Sequence, residues 1–398
     1  MRIAIIGGGI GGLTAALALR QFGFEPRIFE QAPELLEVGA AILMWPNAMR
    51  VLDRLGVASA VREHGAVLEK GTSLNSEGKQ LYQISLPTTD LPAVALHRAD
   101  LQEILVQALP REVISLGRVF AGWEQQGETI VARFSDGSVI ETDVLIAADG
   151  LHSRAREQLL HDGPPMARGY IAWRGVSPQT PQALSSASAF EVLGRGQRFG
   201  IGLLGSGKVG WWASVNQRTR GKSDPAWLSS DDPSITRDQL LHLFAGWCEP
   251  IAELIQTTPL SSIVRNPISD RAPVKKWGAG SMTLLGDAIH PITPNLGQGG
   301  GLAIEDAAVL ARCLHKYLNH GKSGGNSGIQ PALRRFAALR SARTAAIARI
   351  SRNYGVVAQW EDRCAVGLRR VMLTVAPTVV VQPLLKWMFS YDAYAVEI

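Results

Sequence analysis

The sequence predicts an α/β protein with a discontinuous, Rossmann-like nucleotide-binding domain, a second domain built on a mostly antiparallel β-sheet, and C-terminal helices. Three observations predict this class. An apolar strand, a glycine turn and a helical pattern open the chain. Aromatic strands dominate its middle region. Near residue 281, a buried strand again meets a glycine turn and a long helix.

The opening segment, MRIAIIGGGIGG, has the order of a dinucleotide site. Ile3 to Ile6 are predicted to form a short buried strand, and LTAALALRQFG has the composition of a helix. Gly7, Gly9 and Gly12 follow the G-x-G-x-x-G order. The first glycine allows a tight turn, the second lets the backbone approach a pyrophosphate, and the third lets the helix pack on the strand. The apolar run is too short for a secretory signal.

An acidic residue follows at the position that such a site requires. Glu30 ends the apolar stretch Arg27 to Phe29, and its carboxylate can accept hydrogen bonds from a ribose 2′-hydroxyl. The strand, turn, helix and acid together favour a nucleotide site over the alternative, a glycine turn without a ligand.

A second G-x-G-x-x-G is formed by Gly205, Gly207 and Gly210, in LLGSGKVGWW. The residues that follow, WWASV, have the pattern of a strand. A phosphate site of this type needs the amides of a helix N-terminus. The second motif is therefore predicted to be a hairpin turn.

The composition indicates a globular protein of two domains or one large composite, since 46% of the 398 residues are hydrophobic. The formal net charge is +5, but the basic residues are spread along the chain. The absence of a polybasic run argues against nucleic acid as a partner, whereas attraction of anionic substrates or cofactors stays open.

The cysteines and histidines bear on compartment and metals. Cys248, Cys313 and Cys364 are odd in number and far apart, which fits a reducing compartment, and we expect a cytoplasmic protein. Neither they nor the histidines have metal-ligand spacing, so no metal is predicted.

The most apolar region is RRVMLTVAPTVVVQPLLKWMF, near the C-terminus. Pro377 and Pro383 interrupt it, so it is not expected to span a bilayer. It is either a terminal helical segment docked on the fold or a weak membrane-surface contact, because Arg369, Arg370 and Lys386 flank its apolar residues.

Four stretches together carry a family resemblance: GGGIGG with Glu30, LHRADL, DVLIAADGLHSRAR, and LLGDAIHPITPNLGQGGGLAIEDA. They resemble the flavin-dependent aromatic hydroxylases, single-component FAD monooxygenases that include salicylate, hydroxybenzoate and urate hydroxylases and the zeaxanthin epoxidases. The resemblance covers about residues 1 to 315. It implies an FAD-binding domain at 1–70, 95–165 and 272–318, a substrate domain at 71–94 and 166–271, and a C-terminal helical region at 331–398.

The resemblance also implies how the cofactor is held. Asp149-Gly150 is associated with FAD and NAD(P)H, Gly286-Asp287 with the ribityl chain, and Arg98 with the pyrophosphate. The helix after the glycine run would point its amides at the pyrimidine end of the flavin. The implied cofactor-binding residues are Gly7, Gly9, Gly11, Gly12, Glu30, Gly39, Ala40, Ala41, Arg98, Val119, Asp149, Gly150, Gly286, Asp287, Gly297, Gln298, Gly299, Gly300 and Gly301.

Three residues are candidates for catalysis. Arg174 either orients an anionic or carbonyl substrate or pairs with a carboxylate across the domain boundary. His290 is expected at the flavin edge and Pro294 beside the flavin. No side chain is identified as the general base.

The substrate pocket is expected to be apolar. Leu43 and Trp45 follow a loop that lies near the flavin in the family. Phe199 and Ile201 alternate onto one strand face, and Trp211 and Ala213 onto one face of the next, as a pocket lining would require. A strand face packed against a core would have the same pattern, and that alternative stays open.

The implied reaction is a monooxygenation. The resemblance implies that NAD(P)H reduces FAD, that the reduced flavin captures O2, and that a flavin C4a-hydroperoxide then hydroxylates or epoxidises an apolar aromatic or heteroaromatic small molecule. A flavin halogenase is less favoured because no Trp-x-Trp-x-Ile-Pro stretch occurs. A non-catalytic flavin-binding or membrane-docking partner is the other alternative.

Overall fold

The computed structural model describes residues 1–35, 41–86, 91–184, 188–217, 236–319, 326–375 and 381–398. Its strands are β1 (Ile3–Ile6), β2 (Pro26–Phe29), β3 (Ala41–Met44), β4 (Ala66–Leu68), β5 (Lys70–Asn75), β6 (Gln80–Ser85), β7 (Ala93–His97), β8 (Ile114–Ser115), β9 (Phe120–Gln126), β10 (Thr129–Phe134), β11 (Val139–Thr142), β12 (Val144–Ala147), β13 (Met166–Ser177), β14 (Ser188–Leu193), β15 (Gln197–Leu203), β16 (Val209–Asn216), β17 (Val264–Asp270), β18 (Gly278–Ala279) and β19 (Met282–Leu284). Its helices are α1 (Ile10–Gln21), α2 (Pro46–Arg54), α3 (Ala58–His64), α4 (Arg98–Gln107), α5 (Arg154–Leu160), α6 (Thr236–Leu243), α7 (Ile251–Thr257), α8 (Gly299–Asn319), α9 (Ile329–Ala358), α10 (Arg363–Val375) and α11 (Gln382–Phe389).

A six-stranded sheet brings together distant parts of the sequence in the order β18-β19-β12-β1-β2-β8. All neighbours are parallel except β18 and β19. Every residue of β1 and β12 is buried, as in parallel strands that helices cover. Because β1, β2, β12 and β19 are parallel, their carboxyl ends lie at one edge of the sheet, called here the carboxyl edge.

A seven-stranded sheet has the order β17-β13-β16-β15-β14-β5-β6 and is antiparallel apart from the β5–β14 pair. One of its faces packs against apolar residues in and beside α6 and α7. Two small sheets, β11-β10-β9 and β3-β7-β4, complete the strands. The predicted class, a Rossmann-like domain with a mostly antiparallel sheet and C-terminal helices, is confirmed.

The second glycine motif lies in the antiparallel β15–β16 connection. Residues Gly205–Gly207 form one 3₁₀ turn between the two strands, and no helix begins at Gly210, which belongs to β16. The predicted hairpin is confirmed.

The C-terminal helices differ in burial. α9 packs along α8 and buries one face, whereas α10 buries Arg369 and little else. Among the described helices, none combines the length and apolar composition that a bilayer crossing requires.

Candidate active site

The turn between β1 and α1 leaves room for a ligand at one glycine and not at the others. Gly7 has φ +105°, and a Cβ on it would overlap the carbonyl oxygen of Ala148. A Cβ on Gly12 would overlap the Gly7 carbonyl oxygen. Around Gly9, by contrast, no atom lies within 4 Å of where a Cβ would stand. Gly9 is the N-cap of α1 and offers no side-chain cap, so the first amides of the helix face open space.

Gly11 has a packing position in this turn. A Cβ on it would stand 3.0 Å from the Leu285 side chain and 3.3 Å from that of Ala303. Gly11 thus lets α1 approach the end of β19 and the helix α8.

Glu30 fixes the glycine turn from the end of β2. Its Oε2 accepts a hydrogen bond from the Gly8 amide at 2.5 Å, and its Oε1 accepts one from the Ala32 amide at 2.8 Å. Each carboxylate oxygen has a second lone pair, so Glu30 can still accept from a ribose hydroxyl. Val119 lies nearby, since the amide of its neighbour Arg118 donates to the Glu30 carbonyl oxygen at 2.7 Å.

Asp149 follows β12 at the carboxyl edge and has an unsatisfied oxygen. Its Oδ2 accepts from the Ala155 amide at 3.3 Å, but its Oδ1 is buried without a partner. Burial raises the pKa of this carboxyl group. Gly150, with φ +80°, has no atom within 4 Å of a Cβ position. An orphaned acceptor beside open space fits a ligand with hydroxyl groups.

The end of β19 presents a second carboxylate to the same edge. Gly286 has φ +62°, and Asp287 after it is exposed. Desolvation raises the pKa of the Asp287 carboxyl group, while the charges of His290 and Arg98 act in the opposite direction. Arg98 is exposed at the first position of α4. The carboxyl edge therefore combines two carboxylates, a type of group that suits hydroxyls, with a guanidinium, which suits a phosphate.

The glycine run before α8 approaches the β3 strand closely. Gly297 has φ +60°, and a Cβ on Gly300 would stand 3.1 Å from Ile42 Cδ1. Gln298 is buried, accepts from Asn47 Nδ2 at 3.1 Å, and leaves its own Nε2 unpaired. The first turn of α8, which starts at Gly299 and includes Gly301, contains no acidic residue, so its amides are free to face negative charge.

A buried ionic network lies behind these glycines. His290 Nε2 is 2.5 Å from Asp306 Oδ2, and Arg340 Nε donates to Asp306 Oδ1 at 2.6 Å. Asp306 also accepts from the Gly286 amide at 3.2 Å. Although burial alone would raise it, the charges of His290 and Arg340 lower the pKa of Asp306. The network fixes the end of β19 against α8 and leaves His290 Nδ1 buried and unpaired.

The same network continues through Glu305. Arg340 contacts Glu305 at 2.7 Å, and Arg343 donates to both Glu305 oxygens at 2.8 Å. Asn47 Nδ2 donates to Glu305 Oε1 at 2.6 Å, which ties α2 to the group. Sequence reasoning did not find Asn47 or the two arginines, because their partners are distant in the chain.

The turn at Pro294 connects the carboxyl edge to the seven-stranded sheet. Pro294 itself is exposed. Its neighbour Asn295 accepts from Arg198 Nη1 at 2.7 Å and donates to the Tyr170 hydroxyl at 3.1 Å. Arg198 is buried and also bonds to Glu191. Arg198 and Asn295 lacked a sequence signal other than a charge inside an apolar strand and an amide next to a proline.

Arg174 lies near the carboxyl edge on β13. Its Nη1 donates to Asn266 Oδ1 at 3.5 Å on the neighbouring strand β17. Burial, and then the like charge of Arg98, lower its pKa. The structure thus brings two guanidinium groups toward one region.

The predicted pocket face of the seven-stranded sheet is corrected by the structure. Phe199 stacks on Trp211 with ring centroids 5.3 Å apart, and Phe199 also meets Phe244 beside α6. Ile201 and Ala213 are buried in the same core. The packing alternative therefore holds for these four strand residues, because α6 and α7 cover this face.

The opposite face of the sheet is directed toward β3. It carries Arg198, Gly202, Gly210 and Trp212, which alternate with the core residues. A Cβ on Gly210 would overlap that of Ala41, which is exposed at the start of β3. A Cβ on Gly202 would meet no atom within 4 Å. Gly39 and Ala40 lie outside the described residues.

Leu43 and Trp45 lie where β3, α11 and the glycine run before α8 meet. Trp45 Nε1 donates to the Leu296 carbonyl oxygen at 3.1 Å, and its ring stacks on Phe389 of α11 at 4.6 Å. Leu43 packs in the same partly buried cluster. A Cβ on Gly297 would stand 3.3 Å from Trp45 Nε1, so Trp45 adjoins the glycine run.

A groove lies outside the candidate site. It has a volume of about 720 Å³ and lies between residues 273–283 and α9, with Lys275, Arg334 and Arg349 in its lining and none of the carboxyl-edge residues. No group of three or more histidine, cysteine or acidic side chains in the described ranges is arranged to hold a metal ion.

Comparisons with known proteins agree with this geometry. Residues 1–326 match the family described as FAD binding domain. The chain is 37% identical over 377 residues to aurachin C monooxygenase/isomerase of Stigmatella aurantiaca, with 94% of each chain covered. It is 32% identical over 373 residues to 6-hydroxynicotinate 3-monooxygenase of Pseudomonas fluorescens, covering 88% of this chain and 90% of the other.

Among solved structures, HpxO of Klebsiella pneumoniae, complexed with FAD and uric acid, superimposes with a TM-score of 0.85. The two sequences are 28% identical, and the match covers 98% of this chain and 96% of the other. The chain therefore belongs to the FAD binding domain family and is an FAD-dependent monooxygenase of the kind that includes the aromatic hydroxylases.

Proposed function

We propose that this monooxygenase uses NADH or NADPH and O2 to hydroxylate or epoxidise an apolar aromatic or heteroaromatic small molecule. One oxygen atom enters the substrate and the other leaves as water, while the nicotinamide is oxidised. The observation that carries the proposal is the carboxyl edge, which has open space at Gly9 after β1 and the unsatisfied Oδ1 of Asp149 after the neighbouring strand β12. We propose a cytoplasmic location as well, which the three free cysteines support.

The residues at the carboxyl edge fit FAD. The α1 amides at Gly9 suit the pyrophosphate, with Arg98 as its counter-charge. Glu30 suits the adenosine ribose, and Asp149 and Asp287 suit hydroxyl groups of the ribityl chain. When bound, FAD supplies the hydride acceptance and oxygen activation that protein side chains lack.

The start of α8 has an electrostatic task in this proposal. The amides of Gly299, Gly300 and Gly301 carry partial positive charge and have no acidic neighbour in that turn. They would stabilise negative charge at the pyrimidine end of the ring. The buried pair of Asp306 and Arg340 holds β19 against α8. His290 bonds to Asp306, and Gln298 accepts a hydrogen bond from Asn47, so both act as positioning residues.

The substrate space excludes water through apolar side chains. Leu43 and Trp45 form its border, and Phe389 supports Trp45 from behind. Pro294 is exposed and belongs to the turn directly before Gly297. We propose that Arg174 orients a carbonyl or anionic group of the substrate, since its amide partner Asn266 leaves its charge unneutralised.

The test is oxidation of NADH and NADPH by the FAD-saturated protein, with phenols, quinolones, purines and polyenes offered in turn. Hydrogen peroxide and oxygenated product are measured together. We expect one aromatic class to accelerate oxidation at least about tenfold and to take up oxygen, with substrate binding as the trigger. Oxidation that no compound accelerates would contradict the proposed substrate class.

A variant pair tests Arg174. Arg174→Gln is expected to raise KM about tenfold for a substrate with a carbonyl or anionic group, because a charged hydrogen bond is lost. Its substrate-free NADH oxidation should stay unchanged. Arg133→Gln, which removes an exposed guanidinium on β10, is the matched control. Equal KM values in the two variants would assign Arg174 a purely structural role.

A further inference from the structure

The exposed side of α10 is apolar. Leu368, Val371, Met372 and Val375 are 55%, 57%, 46% and 74% exposed. Their spacing of three, one and three residues places them on one face of the helix. Six of the twelve exposed large apolar side chains of the described chain lie between 356 and 387. This concentration marks an interaction surface rather than scattered surface residues.

The inner side of α10 is, by contrast, anchored by a charge. Arg369 is 3% exposed and donates to the carbonyl oxygens of Ala358 and Gly194, at 2.6 Å in each case. Leu373 packs on Leu81 of the edge strand β6. An ordinary surface helix buries its apolar face. Here the arginine faces the fold and the apolar face is directed outward, so a partner of low polarity is needed to cover it.

α11 extends the same surface toward the substrate space. Its Leu384 and Leu385 belong to the same apolar cluster as Ile84 of β6, the strand that α10 contacts. Trp387 is 43% exposed, whereas Phe389 on the inner side stacks on Trp45. α11 therefore separates the outward surface from the border of the substrate space by the thickness of one helix.

The charges near this surface select its partner. Neither α10 nor α11 contains an acidic residue, and Arg363, Arg370 and Lys386 are exposed. At about 100° per residue, Arg363 and Arg370 share one side of α10, about 130–150° around the helix from the centre of the apolar face. The helix thus has an apolar face and a separate basic side. A helix with an apolar face and a basic polar side suits an anionic lipid surface.

We propose that α10 and the outer side of α11 bind an anionic membrane surface, and that the enzyme takes a lipophilic aromatic substrate from that membrane past α11. The second part rests on the proposed function, whereas the first does not. The named surface, called here the α10–α11 face, consists of Leu368, Val371, Met372, Val375 and Trp387 with Arg363, Arg370 and Lys386.

Vesicle co-sedimentation of the FAD-loaded protein tests the first part. Vesicles of phosphatidylcholine alone are compared with equimolar phosphatidylcholine and phosphatidylglycerol. We expect binding to the anionic vesicles and little to the neutral ones. The double variant Val371→Glu with Val375→Glu should bind at least about tenfold more weakly, and Arg370→Gln about fivefold. Val139→Glu, an exposed valine on β11, is the matched control.

Three outcomes would overturn the docking proposal: no vesicle binding by the unaltered chain, equal binding to both vesicle types, or binding that the double variant retains. A concentration-dependent dimer that the double variant abolishes would also overturn it, in favour of self-association. Circular dichroism and flavin absorbance of each variant exclude a folding defect.

The substrate step has its own readout. A lipophilic aromatic compound dissolved in anionic vesicles is compared with a water-soluble aromatic of the same ring type. The double variant should lose turnover of the vesicle-borne compound about tenfold and keep that of the soluble one. If the double variant turned over both compounds as fast as the unaltered chain does, the delivery step would be overturned. If no compound is turned over while vesicle binding persists, the proposed substrate class fails and the docking surface stands.

Discussion

The glycine spacing of the β1–α1 turn recurs at the β15–β16 turn, and the two regions fold differently. Gly7, Gly9 and Gly12 turn a parallel strand into a helix, whereas Gly205 and Gly207 turn one antiparallel strand into the next, with Gly210 inside it. In both turns a Cβ on the first and third glycines would overlap a neighbour, so both need glycine. The glycine spacing therefore indicates only that the backbone is crowded at the first and third positions. Whether the turn can bind a nucleotide depends on the elements beside it, a strand followed by a helix.

The middle glycines show the difference most directly. Gly9 has φ −75° and caps a helix whose amides are unpaired by any side chain. Gly207 has φ +70° and lies in a 3₁₀ turn without a following helix. The Cβ positions of both glycines are open, but only at Gly9 do the unpaired amides of a helix N-terminus adjoin the open space.

Substitution of the third glycines should have the largest effect. Gly12→Ala would place a methyl group on the Gly7 carbonyl oxygen, a backbone atom that cannot move without the turn. We expect a loss of about 4 kcal/mol in stability and no retained FAD. The new methyl group of Gly210→Ala would meet the Ala41 side chain, and we expect a stability loss of about 2 kcal/mol. Thermal unfolding and flavin content measure both. A Gly12→Ala protein that purifies with a full complement of FAD would contradict the different roles assigned to the two turns.

Substitution of the middle glycines should separate binding from stability. Gly9→Val places its side chain in the open space, in an extended conformation that valine adopts, so the apoprotein should unfold as before. FAD affinity should fall about hundredfold, because the pyrophosphate loses its room. Gly207→Ala should leave FAD affinity unchanged and cost about 1 kcal/mol of stability through its positive φ. Flavin fluorescence titration and urea unfolding measure the two effects. Equal FAD affinities in the two variants would remove the distinction.

The smallest effect is expected at Asp149, which shares the carboxyl edge with Gly9. Its folded pKa is raised, so the folded apoprotein loses stability as pH rises through the ordinary range of an aspartate pKa. Asp149→Asn removes that loss, and the variant should be more stable than the unaltered apoprotein by about 1 kcal/mol at pH 7. Near pH 3 the difference should vanish. FAD affinity should fall at the same time. A stability difference independent of pH would contradict this account of the buried oxygen.

The nucleotide turn and the discontinuous sheet could be predicted because their signals are local. Each of β1, β12 and β19 is a short apolar run that meets a glycine or aspartate at its carboxyl end. Parallel strands then bring those ends together wherever they lie in the chain. The position of Asp149 and Asp287 at one edge follows from this rule alone.

The buried side of the seven-stranded sheet could not be predicted in the same way. Alternation shows that Phe199 and Ile201 share a face, but it does not show what covers that face. The covering helices, α6 and α7, come later in the chain. A better signal was available in Gly202 and Gly210, since glycines opposite a row of large apolar residues indicate where another element or a ligand approaches.

The ionic network was beyond sequence reasoning for another reason. Asp306 and Arg340 lie 34 residues apart on different helices, and Glu305 and Arg343 lie 38 apart. Charged residues in a helix are usually on its solvent face. Only the packing of α9 on α8 shows that these four are buried together.

Gly202 has a consequence for engineering. It lies on the sheet face opposite the core, and its Cβ position is empty to 4 Å, while the strand around it is anchored by the Phe199 and Trp211 core behind it. A library that varies this one position can therefore change the shape of the space on this face without repacking the core. We expect substrate range to be adjustable at this single codon, and a series from alanine to phenylalanine there would measure how large a side chain the space accepts.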